Sequence, residues 1–262
     1  MKVVTGKLFK EMVLCGANTL HNNHPEIDAL NVFPVPDGDT GTNMSLTFSA
    51  GAKEIEGMDS NNIGEISKKL SKGLLMGARG NSGVILSQIF RGVSMALQGH
   101  EEADAVLWAQ ALESGAKVAY KAVMRPVEGT ILTVIRESSE AVVKYAKPGM
   151  EIEDVFSYFV KEAEASLERT PELLPVLKEV GVVDSGGAGL LLVFTGFLAG
   201  LAGETVDYVE IKSSDSAMNA VADIEGGEEG YGYCTEFIVR LEPSLVDKFK
   251  EEQLKKELAR IP

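Results

Sequence analysis

The first 204 residues predict an all-α fold, an all-helical bundle, and three observations carry that reading. Apolar residues recur at helical spacing in segment after segment, convincing strand alternation is scarce before residue 205, and four polar, glycine-containing loops each open a helix. A bundle whose loops gather at one end would bring those four helix N-termini together.

Taken in order, residues 7–22 put Leu8, Phe9, Met12, Val13, Ala17 and Leu20 on one stripe of a first helix. Cys15 reads as a small core residue there, and His21 and His24 as polar groups at the helix end. Residues 31–44 form the first loop. Pro34 and Pro36 push their neighbours towards extended backbone, so Asp37 and Asp39, two apart, point the same way. Gly38 and Gly41 let the chain turn close to a ligand, while Thr40, Thr42 and Asn43 are candidate caps for a helix starting near Met44.

Carboxylate oxygens suit a hard cation such as Mg²⁺, and a glycine-freed helix start suits phosphate, so this loop reads as a site for a metal-bound nucleotide. A plain polar surface turn has the same composition. An EF-hand is excluded, because the twelfth position counted from Asp37 is Phe48, where a bidentate Glu is needed.

A helix over 43–55 and another from Ile63 to a stop at Gly77 follow. Residues 77–83 are the second glycine loop, opening a helix that carries Val84, Ile85, Ile89, Val93 and Leu97. Without a Gly-Lys-Ser/Thr run it is not a P-loop; Arg79 beside it could meet a phosphate or remain solvated. A fifth helix spans 104–123, with Trp108 as an anchor in a core or interface. The third loop, 125–130, opens a helix to about 146, and a seventh carries Phe156, Phe159, Val160, Ala163 and Leu167. Pro171 and Pro175 bound a short turn. The fourth loop, 184–189, opens an apolar last helix with Asp184 or Ser185 as its N-cap.

Beyond Gly203 the composition turns polar and acidic, which reads as a linker; residues 231–241 then alternate like a strand, and a charged helix covers 244–260. The expected domains are 1–204, a linker over 205–230, and a partial α/β middle domain over 231–262. A net charge of −14 argues against a nucleic-acid surface and against adhesion to anionic lipid. No apolar run is long enough to span a bilayer and the N-terminus lacks a signal pattern, so stable membrane insertion is not expected and a cytoplasmic location is. Cys15 and Cys234 make no disulfide framework.

Pro36-Asp37-Gly38-Asp39-Thr40-Gly41-Thr42-Asn43-Met44, with the runs 77–83, 126–130 and 183–187, resembles the ATP-binding domain of the dihydroxyacetone kinase family. The similarity covers about residues 5–203 and is strongest to the bacterial fatty acid kinase catalytic subunits, whose middle domain opens like Tyr231-Gly232-Tyr233-Cys234-Thr235-Glu236. The resemblance implies an eight-helix antiparallel barrel that binds ATP with Mg²⁺, as two ions, at one rim. It implies transfer of the γ-phosphate to the carboxylate of a fatty acid presented by a separate fatty-acid-binding protein.

By the same resemblance Asp37 and Asp39 are Mg²⁺ ligands and the catalytic pair. Val32 stands where the sugar kinases carry a third Asp, and neighbouring Asn31 is the expected substitute. Thr40, Thr42, Asn43 and Met44 would line the nucleotide, Ser82 and Gly83 would contact phosphate, and Gly129, Thr130 and Leu132 would lie beside adenine or ribose. Asp184 and Ser185 would close the pocket. The middle domain of such proteins pairs a cysteine like Cys234 with a downstream His-x-His for zinc; all three histidines here precede residue 101, so the chain is expected to be a fragment, and the absent part leaves room for a homodimer. A dihydroxyacetone-type kinase and a non-catalytic, nucleotide-responsive docking module are the alternatives.

Overall fold

A computed structural model describes residues 1–211, 239, 241–258 and 260. The chain divides into two compact units, Met1–Tyr231 and Gly232–Pro262. Among the described residues, the first unit is built from α1 (Gly6–Ala29), α2 (Thr40–Glu56), α3 (Ile63–Met76), α4 (Gly80–Leu97), α5 (Ala105–Ala122), α6 (Ile131–Tyr145), α7 (Ile152–Glu168), the short α8 (Thr170–Leu173) and α9 (Pro175–Val180), and α10 (Ser185–Leu201). Each of α1 to α7 packs on the next, α2 also meets α4, and α10 packs on both α1 and α7, so the last long helix joins the first. The fold is all-α.

Its core is a run of aromatic rings contributed by six helices. Phe9 meets Trp108 edge-on at 5.4 Å, Trp108 meets Phe156 at 5.2 Å, Phe48 meets Phe90 at 5.1 Å, and Phe194 on α10 meets Phe159 at 4.6 Å and Phe197 at 5.2 Å. Trp108 is thus a core anchor. Nearly every residue of the first turns of α10 is buried, as its apolar sequence on all sides requires.

Three local expectations are corrected. Helix α1 does not stop near residue 22 but runs through Pro25 to Ala29. Proline removes the N–H that would satisfy the carbonyl of His21, and the His24 Nδ1–H donates to that oxygen instead, at 2.6 Å, so the helix survives its own breaker. Two strands of three residues also exist, β1 (Val3–Thr5) and β2 (Glu102–Asp104), antiparallel with Val4 opposite Ala103. Both central residues are buried, and Thr5 and Asp104 cap α1 and α5 through their side chains, so the ladder ties two helix starts together. Three residues are too few for alternation to register in sequence. Finally, α2 starts at Thr40 and not near Met44.

In the second unit, the expected helix over 244–260 is a 3-10 turn, Pro243–Lys248, followed by α11 (Glu251–Leu258). Of the linker expected over 205–230, residues 212–230 lie outside the described residues, as does most of the strand expected over 231–241.

Candidate functional site

The first loop is held where it enters α2 by the end of α1. Asp28 accepts the Thr42 N–H at 2.9 Å and the Thr42 hydroxyl at 2.7 Å, pinning the first turn of α2 onto α1. Gly41 is needed there, since a Cβ would run into the carbonyl oxygen of His24 and lie 3.0 Å from the Asp28 carboxylate. Thr40, Thr42 and Asn43 therefore sit inside the first turn and do not cap it as expected. Asp39 occupies the N-cap position but makes no capping bond; its carboxylate instead receives the Asn43 side chain.

Asp37 and Asp39 are brought together closely enough to hydrogen-bond. Burial raises the pKa of Asp39 above the usual carboxylate range; the Asn43 bond opposes the rise, and Asp37 and then Asp28 add to it. The Asn31 Nδ2–H donates to Asp37 Oδ1 at 2.7 Å, while the Asn31 Oδ1, in a residue only 7% exposed, has no hydrogen-bond partner. An orphaned, buried acceptor oxygen beside two crowded carboxylates is a donor set short of positive charge. Among the described residues no group of three or more His, Cys, Asp or Glu side chains is arranged to hold a metal ion, so a cation here would rest on the pair and on oxygens outside that class.

The second loop is packed against the first turns of α2. Gly80, with φ +60, leaves no room for a Cβ, which would lie 2.5 Å from Asn43 Nδ2, so one carboxamide stands between Asp39 and the start of α4. One turn on, Thr47 donates to the Asn43 carbonyl at 2.7 Å and accepts the Arg79 N–H at 3.0 Å, and a Cβ on Gly83 would overlap its hydroxyl. Ser82 is half-buried in the same turn and Arg79 is exposed. Met44 is buried and reaches the fourth loop: a Cβ on Gly189 of α10 would lie 2.7 Å from its sulfur.

The third loop is braced from behind. Glu128 accepts from Thr133 at 2.6 Å, Arg136 at 2.8 Å and Tyr120 at 2.9 Å, bonds that outweigh its burial and hold its pKa below the usual range. The Gly129 N–H donates to Thr133 Oγ1 at 2.8 Å, and Thr130 caps α6 through Leu132. The Leu132 side chain is buried. Asp184, also buried, caps α10 through the Gly187 N–H at 2.7 Å and is in addition supported by the N–H of Ile131, the first residue of α6. Ser185 is buried beside it. The starts of α2, α4, α10 and α6 are thus linked in series through Asn43–Gly80, Met44–Gly189 and Asp184–Ile131.

Sequence reasoning missed Asp28 and Glu128. Neither belongs to a spacing pattern; the signal is a carboxylate at the very end of a helix in the first case and one residue before a motif glycine in the second.

A family profile described as DAK2 domain matches residues 34–199. Protein YloV of Bacillus subtilis is 52% identical over 255 residues, covering 92% of this chain and 45% of that protein. The Staphylococcus saprophyticus protein SSP1546 is 52% identical over 242 residues, covering 90% of this chain and 44% of its own length. The chain therefore spans under half the length of these curated relatives. Among solved structures, the native dihydroxyacetone kinase of C. freundii superposes with a TM-score of 0.55 at 24% identity over 76% of this chain and 34% of that one. The same enzyme in complex with AMP-PNP and Mg²⁺ gives 0.53 at 23% identity over the same shares. These structural likenesses bear on the fold.

Proposed function

The chain belongs to the DAK2 domain family, and from that premise we propose that it is the ATP-binding part of a fatty acid kinase. In this reading it transfers the γ-phosphate of Mg-ATP to the carboxylate of a fatty acid presented by a separate fatty-acid-binding protein, and the product is an acyl phosphate. The observation that carries the proposal is the series of four linked helix starts beside the Asp37–Asp39 pair and the unpartnered Asn31 oxygen. The related C. freundii enzyme crystallised with AMP-PNP and Mg²⁺ supports the choice of ligand.

Asp37, Asp39 and Asn31 would hold the magnesium, in two ions, and all offer the oxygen donors it takes. When bound, the metal supplies charge neutralisation at the transferring phosphate. The chain's own part is positioning. Thr40 at the start of α2 and Ser82 at the start of α4 would present donors to phosphate oxygens, while Thr42, Asn43 and Gly83, whose own donors are held by Asp28, Asp39 and the Arg79 carbonyl, would line the site. Gly129, Thr130, Leu132, Met44 and Ser185 would form the adenosine side, and Asp184 would close the pocket from behind them. No general base is required, because a fatty acid, with a pKa close to the roughly 4.3 of a Glu side chain, is already ionised at neutral pH.

The finer architecture we propose is an eight-helix antiparallel barrel of α1 to α7 and α10, a reading supported by the packing of α10 on both α1 and α7. We assign 1–204 to the kinase domain, with a linker over 205–230 and the start of a middle domain beyond. No helix of the described residues is long and apolar enough to cross a membrane, and a cytoplasmic setting and a homodimer formed outside this domain remain proposals. The C. freundii likeness favours one second reading, a kinase acting on dihydroxyacetone.

Calorimetry of ATP with and without Mg²⁺ comes first. Asp37→Ala and Asp39→Ala should each weaken Mg-dependent binding at least about a hundredfold, the scale expected from removing a ligand in a charged phosphate site, while far-UV circular dichroism stays unchanged. Radiolabel from γ-labelled ATP should then reach a fatty acid only in the presence of its carrier protein. Turnover of free dihydroxyacetone without any carrier would select the second reading, and loss of fold in both variants would remove the support for a metal role.

A further inference from the structure

Asp184 lies under two loops at once and is 5% exposed. Its Oδ2 accepts the Gly187 N–H of α10, and the N–H of Ile131 at the start of α6 also supports its charge. Between them Gly186 packs so tightly on α6 that a Cβ would lie 3.2 Å from Ile131 Cβ and 3.3 Å from Asp184 Oδ2. Behind, Thr170 accepts the Asp184 N–H at 3.1 Å and donates to the Leu167 carbonyl at 2.7 Å. Gly129 rests on the same support, since a Cβ there would lie 2.9 Å from the Thr170 carbonyl oxygen. One anchor therefore carries both the 129–131 loop and the 184–187 loop.

We propose that Asp184 is a positioning residue whose carboxylate clasps the starts of α6 and α10 together and so sets the 129–132 loop for the nucleotide without touching the nucleotide itself. Its purpose rests on the nucleotide reading above; the clasp does not. A carboxylate is acceptor-only and can take N–H groups from two helices whose positive ends both face it. Of the charged groups on the elements around it, Glu137 of α6 pairs with Arg169 at the end of α7, and Glu128 pairs with Arg136. Neither pair acts on Asp184, which feels only burial and the two N–H groups. Burial prevails and pushes its pKa up to about 6, so the clasp is charged above that pH and neutral below it.

The test is Asp184→Asn in the 262-residue chain, compared with wild type by residue-resolved amide hydrogen exchange and by Mg-ATP calorimetry near neutral pH. Asn is a good N-cap and keeps one oxygen for Gly187, but it turns an NH₂ towards Ile131. Exchange at the Ile131 amide should rise roughly tenfold while Gly187 keeps its protection, and Mg-ATP affinity should fall by a similar factor. Unchanged exchange at Ile131 overturns the clasp, and so does a rise confined to 185–190, which would make Asp184 an ordinary cap. Faster exchange with unaltered affinity overturns the positioning role. If the wild-type chain binds no Mg-ATP, the nucleotide reading fails and the Ile131 exchange still decides the clasp. Should the variant not fold, wild type alone answers: near neutral pH the Ile131 amide must be protected on the scale of the Gly187 amide, and an Ile131 amide that exchanges as in an unfolded chain refutes the idea.

Discussion

The Asp184 carboxyl carries a pKa of about 6 in the folded chain, lifted by burial from the ordinary value of 3.8. Because the native state holds this proton more tightly than the unfolded state does, the stability contributed is full below the unfolded pKa and is lost as pH rises through about 6. Wild type should therefore lose about 2 kcal/mol relative to Asp184→Asn between about pH 4.5 and pH 7. Urea unfolding of both chains at the two pH values measures it, and parallel pH profiles would count against an ionised, buried Asp184. The residue that organises two loops would then be one that weakens the fold at working pH, a familiar trade at functional sites. That Asp184 would cap α10 was legible in sequence from its place ahead of a glycine-rich helix start. That it also serves α6 was not, because the second N–H arrives only when α6 and α10 pack side by side.

Between elements, glycines decide how closely the helix starts approach. Gly83 faces Thr47 on α2, and a Cβ in its place would overlap the Thr47 hydroxyl that receives the Arg79 N–H. Gly83→Ala gains at most about 1 kcal/mol of helix propensity. Against that stand an overpacking cost of about 1–3 kcal/mol and a lost hydrogen bond worth about 1 kcal/mol. The expected result is a net destabilisation of about 1–3 kcal/mol together with weaker Mg-ATP binding, read from urea unfolding and calorimetry; a stabilised variant would mean that α2 and α4 are not in contact there. The same elements mark how far sequence could be read. The polar, glycine-bearing loops announced the helix starts because capping and turn chemistry are local. The run of α1 through Pro25 was hidden, since the His24 ring supplies what proline removes. Asp28 was invisible for a different reason: its partners on Thr42 reach it only after α2 folds back along α1.

At the scale of the whole chain, the family match ends at residue 199, yet the first unit continues. After α10 the backbone runs along the outside of α1, held by its polar face. Cys15 Sγ donates to the Glu204 carbonyl, Asn18 Nδ2 to Val206 at 2.7 Å and Asn22 Nδ2 to Asp207 at 2.8 Å, while Asn22 Oδ1 accepts the Val209 N–H at 3.0 Å. His21 stacks on the Tyr208 ring at 4.1 Å, bonds the Val209 carbonyl through Nε2, and accepts from Ser45 of α2, next to Met44, through Nδ1. These bonds are largely open to water, so each contributes little to global stability and much to where the strap lies. Removing both asparagines, Asn18→Ala with Asn22→Ala, should consequently leave the free energy of urea unfolding within about 1 kcal/mol of wild type while the strap opens far more often. Tyr208 is a natural chymotrypsin site in this stretch, and cleavage there tracks the population of the open form when opening is fast. Cleavage after Tyr208 should accelerate about tenfold in the double variant, the scale of losing two or three modest hydrogen bonds. An unchanged rate would mean that the asparagines do not hold the strap, and that residues 204–209 follow α1 for reasons of chain connectivity alone.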